Sequence, residues 1–170
     1  MVGASFTLLG GDIDAHWPQS ATYTGVRLGY AYRVSNGLEL GLAGSYQASA
    51  TRSTPQLWSL GGFVRGFFKL DRDDRTELGL TGRLGAQLMR YADVPDENPP
   101  FDVRTHHFEG IALGVAPDLS VRVGSKTALR FSIELGAGHG EDSAAVRGTY
   151  LDTSSGYGQV GAWFGLVQTL

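Results

Sequence analysis

Cysteine is absent from all 170 residues, which excludes a disulfide framework and a thiolate metal site. Proline is scarce, with 6 residues against 25 glycines. The glycines stand singly within apolar–polar alternations, so the chain fits neither a collagen-like repeat nor a flexible linker. No run of about 18 apolar residues occurs, which excludes a transmembrane helix. Charged residues are 18% of the chain and the formal net charge is −3. No basic patch of the kind that tracks a phosphate backbone is present, so nucleic acid is not an expected partner. The length fits one domain over residues 1–170.

What is present is a period of two. From Thr24 to Tyr32, Thr24, Val26, Leu28, Tyr30 and Tyr32 alternate with Gly25, Arg27, Gly29 and Ala31. Successive side chains of a strand point to opposite faces, so this segment has one large apolar face and one small or charged face. The pattern recurs around Leu38–Gln47, Trp58–Leu70, Glu77–Leu88, Ile111–Val123, Leu129–Leu135 and Gln159–Leu166, and less regularly over Val2–Leu8. Phe63 and Phe67 blur the third case. Eight strands are therefore expected, most of them near the 9–11 residues or so that a tilted membrane-spanning strand needs.

The connections alternate strictly between short and long. Ser35-Asn36-Gly37, Asp71 to Arg75 and Gly124-Ser125-Lys126 are short, with Asn-Gly expected to supply positive φ angles in a tight hairpin turn. Gly10 to Ser20, Ala48 to Gln56, Ala92 to His107 and Gly138 to Gly156 are long. Bacterial outer-membrane barrels have short periplasmic turns and longer extracellular loops. An even number of strands then places both termini on the periplasmic side. Such a protein must be exported, so Met1, which leads straight into strand-like sequence, is expected to stand in place of a removed signal peptide.

The face rich in glycine and charge is expected inside, because an eight-stranded barrel has an interior that side chains just fill. It places Arg27, Arg65, Lys69, Arg83, Arg122 and Arg130 with Glu39, Glu77, Asp118 and Glu134. Charges taken out of water must pair, so these residues are expected to form a lumen network. The opposite face, with Leu, Val, Ile and Phe, is expected to meet lipid, where Arg or Lys would cost about 2–4 kcal/mol at the midplane. Tyr30, Tyr32 and Phe68 near the short turns, and Tyr46 and Trp58 near the long connections, are arranged as two interfacial girdles. Pro117 removes a ladder donor within one strand, so a bulge or kink is expected at Ala116-Pro117-Asp118.

In strand number, loop alternation and polar lumen, nearly the whole chain resembles the small outer-membrane barrels of the OmpA transmembrane-domain and OmpX type. The resemblance implies an all-β, antiparallel, up-and-down eight-stranded transmembrane barrel without cofactor. It implies contact with outer-membrane lipid and lipopolysaccharide, handling by the barrel-assembly machinery during biogenesis, and an envelope or surface protein as a further partner. Such barrels usually end in an aromatic residue, whereas this sequence ends Val167-Gln168-Thr169-Leu170.

Residues that can carry chemistry are few. Barrels of this size include lipid A deacylases and palmitoyltransferases, whose chemistry needs a serine within reach of a histidine and an acid. His139, Glu141, Asp142 and Ser143 fall in the fourth long connection, where they are expected to be solvated loop residues. His106 and His107, consecutive on a strand, point to opposite faces and do not converge on one ion. Asp93, Asp96, Glu97 and Asp102 in the third long connection are a candidate cation site of clustered carboxylates. The expected function is a non-enzymatic structural or surface-interaction barrel whose long acidic loops contact partners or lipopolysaccharide. The alternatives are a narrow porin-like channel, a lipid-modifying enzyme and a soluble lipocalin-like binder.

Overall fold

A computed structural model describes residues 2–10, 22–49, 55–92, 105–146 and 149–168. Eight strands follow in order: β1 (Val2–Gly10), β2 (Thr22–Ser35), β3 (Leu38–Ala48), β4 (Gln56–Lys69), β5 (Thr76–Ala92), β6 (Thr105–Arg122), β7 (Thr127–Val146) and β8 (Thr149–Gln168). Each pairs antiparallel with its neighbours in sequence, and β1 also pairs with β8, so the barrel is closed. Closure leaves no sheet edge, which is the condition for a sheet to stand in lipid.

Paired residues can be followed once round the barrel, from Ser154 through Glu141, Glu109, Leu88, Trp58, Tyr46, Val26 and Ala4. The path returns to β8 at Phe164, ten residues further along. This stagger over eight strands tilts them by about 40° to the barrel axis.

The two faces are inverted relative to a water-soluble barrel. Leu42, Leu60 and Ile111 are 65%, 68% and 65% exposed on the outside, whereas Arg65 inside is fully buried, at 0%. Apolar surface left in water is unfavourable by about 25 cal/mol per Å², so an exterior built of such residues requires lipid around it. A soluble binder needs the opposite arrangement.

Three sequence expectations change. Neither Asn36 nor Gly37 takes a positive φ. Instead, the register of β2 on β3 shifts between Arg33 and Ser35, and this bulge lets the strands meet without left-handed residues. Pro117 makes no bulge: Val115 pairs with Leu135 and Asp118 with Ser132 in one unbroken register, and the rungs at Ala116 and Pro117 are simply missing on the β7 side. Pro117 points outward and stays paired with Leu80 on its other side, so the strand absorbs the lost donor without an extra residue. The segment from Gly138 to Gly156 is not a long loop: β7 runs to Val146 and β8 starts at Thr149.

Candidate functional site

The lumen is built in storeys, read off the inward side chains of β4. From the short-turn end these are Phe67, Arg65, Phe63, Ser59 and Leu57. Arg65 centres the first storey. Its Nε and Nη2 donate to Asp118 Oδ1 at 2.8 and 2.7 Å, and its Nη1 donates to Glu77 Oε2 at 3.2 Å. Glu39 lies 3.4 Å from Arg65 and accepts from Arg130 at 2.9 Å and from Arg33 at 3.0 Å. Arg33 also reaches Glu77 at 3.0 Å. Three arginines thus meet three carboxylates. The guanidinium carbons of Arg33 and Arg65 lie 4.5 and 4.7 Å from the ring centre of Phe67, where the ring quadrupole attracts them.

A second storey forms around Glu134. Its Oε2 accepts from Arg27 at 2.7 Å and from Arg83 at 2.8 Å, while Gln159 and Gln87 extend the chain of hydrogen bonds across the lumen. Towards the long-loop end, Tyr23, Leu57, Met89, Phe108 and Tyr157 form a buried apolar cluster. The rings of Phe108 and Tyr157 are 5.5 Å apart and nearly perpendicular. Among the described residues, cavities of about 40 and 30 Å³ lie between these storeys, and a vestibule of about 210 Å³ opens at the short-turn end.

Of the residues expected in the lumen network, Arg27, Glu39, Arg65, Glu77, Arg83, Asp118, Arg130 and Glu134 are brought together in this way. Two are not. Lys69 ends β4 beyond the filled section and pairs with Asp74 of the adjacent turn at 2.6 Å, exposed. Arg122 ends β6, exposed, and lines the vestibule. Arg33 was missed in sequence, although extending the alternation of β2 beyond Tyr32 puts it on the face of Arg27. Tyr30, Tyr32, Trp58 and Phe68 are exposed on the outside, and the ring of Tyr46 lies 4.4 Å from that of Trp58. Asp93, Asp96, Glu97 and Asp102 lie outside the described residues. Among the described residues no group of three or more histidines and carboxylates is placed to hold a metal ion.

A second feature lies on the outer wall at the long-loop end. The outward faces of β5 to β8 are apolar up to Leu88, Ile111, Ala137 and Val160. Beyond stand Arg90 on β5, Glu109 and His107 on β6, His139, Glu141 and Ser143 on β7, and Ser154 on β8. Expected in a loop, His139, Glu141, Asp142 and Ser143 are strand residues, so they alternate: His139 and Glu141 are exposed outside and Asp142 is buried inside. His139 Nε2 and Ser154 Oγ are 3.2 Å apart.

No family model matches the sequence. No curated protein matches it either. Solved structures do. Neisserial surface protein A (NspA) superposes with a TM-score of 0.62 at 17% identity, over 99% of this chain and 94% of that one. The outer membrane enzyme PagL superposes with a TM-score of 0.56 at 12% identity, over 98% of this chain and 99% of that one. The fold is that of the small outer-membrane β-barrels. Identities this low speak for the fold alone.

Proposed function

We propose that this barrel sits in the bacterial outer membrane, with both termini periplasmic, and serves a structural and surface-interaction role. The polar collar carries the reading. β5 to β8 run for 17, 18, 20 and 20 residues, whereas crossing the membrane takes about 9–11. The surplus continues the ladder past the apolar belt as a four-stranded wall on one side of the barrel. Arg90 and His107 are directly opposite in register on its outer face, which suits the phosphates of lipopolysaccharide. The wall as a whole offers hydrogen-bonding side chains on fixed backbone to a surface partner. A channel is disfavoured, because two charged storeys and an apolar cluster fill the bore.

The absence of cysteine makes the topology directly testable. Ser143→Cys at the collar should react with a membrane-impermeant maleimide on intact cells, and Ser125→Cys in the β6–β7 turn only after permeabilisation. The reverse result would overturn the orientation. The folded barrel should also melt at a higher temperature in vesicles containing lipopolysaccharide than in phospholipid alone, and equal melting would remove the glycolipid contact.

A further inference from the structure

We infer that the collar carries an acyl-ester hydrolase site, with Ser154 as nucleophile and His139 as its general base. This goes beyond the structural role above and does not rest on it. A serine hydroxyl is a poor nucleophile until a base stands within hydrogen-bond reach, and the 3.2 Å separation of His139 Nε2 from Ser154 Oγ meets that condition. The two residues are on different strands and are not direct partners. His139 pairs with Gly156, and Ser154 pairs with Glu141. The imidazole reaches diagonally from β7 to β8 past Gly156, where even a Cβ would lie at ordinary contact distance, 3.7 Å from His139 Nδ1.

The surroundings suit the chemistry. Glu141 is two residues along β7 from His139 and outward, so it sets a negative charge on the face where an imidazolium would form. On β6, Ile111 is the partner of His139, and Glu109 and His107 stand further out. The dyad sits where the outer wall changes from Val160 and Ala137 to polar side chains. That is the depth at which ester linkages of membrane lipids meet water. The substrate class is therefore a lipid carrying an ester-linked acyl chain, approached from the side.

The step is an ordinary acyl transfer. Ser154 Oγ bonds to the ester carbonyl carbon as its proton passes to His139 Nε2. The carbon–oxygen bond to the alcohol breaks, and His139 returns the proton to that oxygen. Water then attacks the acyl-serine, again through His139, releasing the fatty acid and restoring Ser154.

The test is to treat the full chain, refolded in detergent micelles, with a fluorescent alkyl fluorophosphonate and to map the modified peptide by mass spectrometry. Ser154 should be phosphonylated in the folded protein and not after boiling. His139→Gln should slow labelling by about 100-fold, while Ser143→Ala, whose hydroxyl bonds to the His107 carbonyl, should label normally. An unmodified Ser154 in the folded chain, or equal labelling of the His139 variant, overturns the assignment. If that variant does not fold, mapping of the unaltered chain, folded against boiled, decides. Vesicles of diacyl phospholipid and vesicles containing lipopolysaccharide, assayed for free fatty acid, distinguish the two lipid sources, and release from neither overturns the hydrolase reading.

Discussion

Arg65 and Asp118, 53 residues apart in sequence, are joined inside the barrel by two short hydrogen bonds to a single carboxylate oxygen, with Arg65 fully buried. The pair reaches over Gly79 of the intervening β5 and ties β4 to β6, which share no ladder.

Removing Arg65 should therefore leave Asp118, Glu77 and Glu39 short of a partner. Breaking a buried pair on one side typically costs about 3–5 kcal/mol. Arg65→Ala should lower stability by an amount in that range, read from urea unfolding in lipid vesicles. A loss no larger than that of an exposed charge such as Arg72 would show that water enters and solvates the storey.

Gly79 holds the space for that pair. A Cβ there would stand 2.7 Å from Arg65 Nε and 2.8 Å from Asp118 Oδ2. Both side chains are pinned by hydrogen bonds, so Gly79→Ala should destabilise by about 1–3 kcal/mol. On the same strand, Gly82 has nothing within 4 Å of a Cβ. There Gly82→Ala should be neutral or gain about 0.4–1 kcal/mol, since alanine restricts the unfolded chain. Equal effects at the two positions would count against the packed lumen.

The outer belt predicts a depth-dependent cost for charge. Leu42→Arg, in the middle of the apolar face of β3, should destabilise by about 2–4 kcal/mol, whereas His107→Arg in the collar should cost about 1 kcal/mol or less. Refolding titrations in vesicles compare the two directly. A harmless Leu42→Arg would mean that water, not lipid, surrounds the barrel.

Asp71, in the short turn between β4 and β5, accepts hydrogen bonds from the backbone N–H of Thr76 at 3.1 Å and of Arg75 at 2.7 Å, and from the Thr76 hydroxyl at 3.1 Å. These donors, the Thr76 N–H first, hold its carboxyl below the ordinary carboxylate range. A depressed value in the folded state means that the contribution is complete above the unfolded value of about 3.9 and is lost as pH falls through the folded one. Titration followed by NMR should find Asp71 ionising below the usual range, and Asp71→Asn should leave the turn insensitive to acid in that window.

The eight strands, their alternation and the choice of inward face were legible in the sequence, because the side-chain period of two is a local property of each strand. Eight of the ten charges assigned to the lumen network lie in it for the same reason. Tertiary structure decided what depends on distance across the barrel. Arg33 joins Glu39 and Glu77 because its guanidinium reaches carboxylates of both β3 and β5 inside the barrel, and Lys69 leaves the network because β4 ends there and Asp74 of the turn reaches it first. The sequence alternation alone ends these strands at Gly138 and Gly156, which leaves His139 and Ser154 in a connection. Only the continued pairing of β7 with β8 sets them on one face. A strand's alternation is fixed by its own residues, but which side chains meet across a closed barrel is fixed by the stagger of all eight strands together.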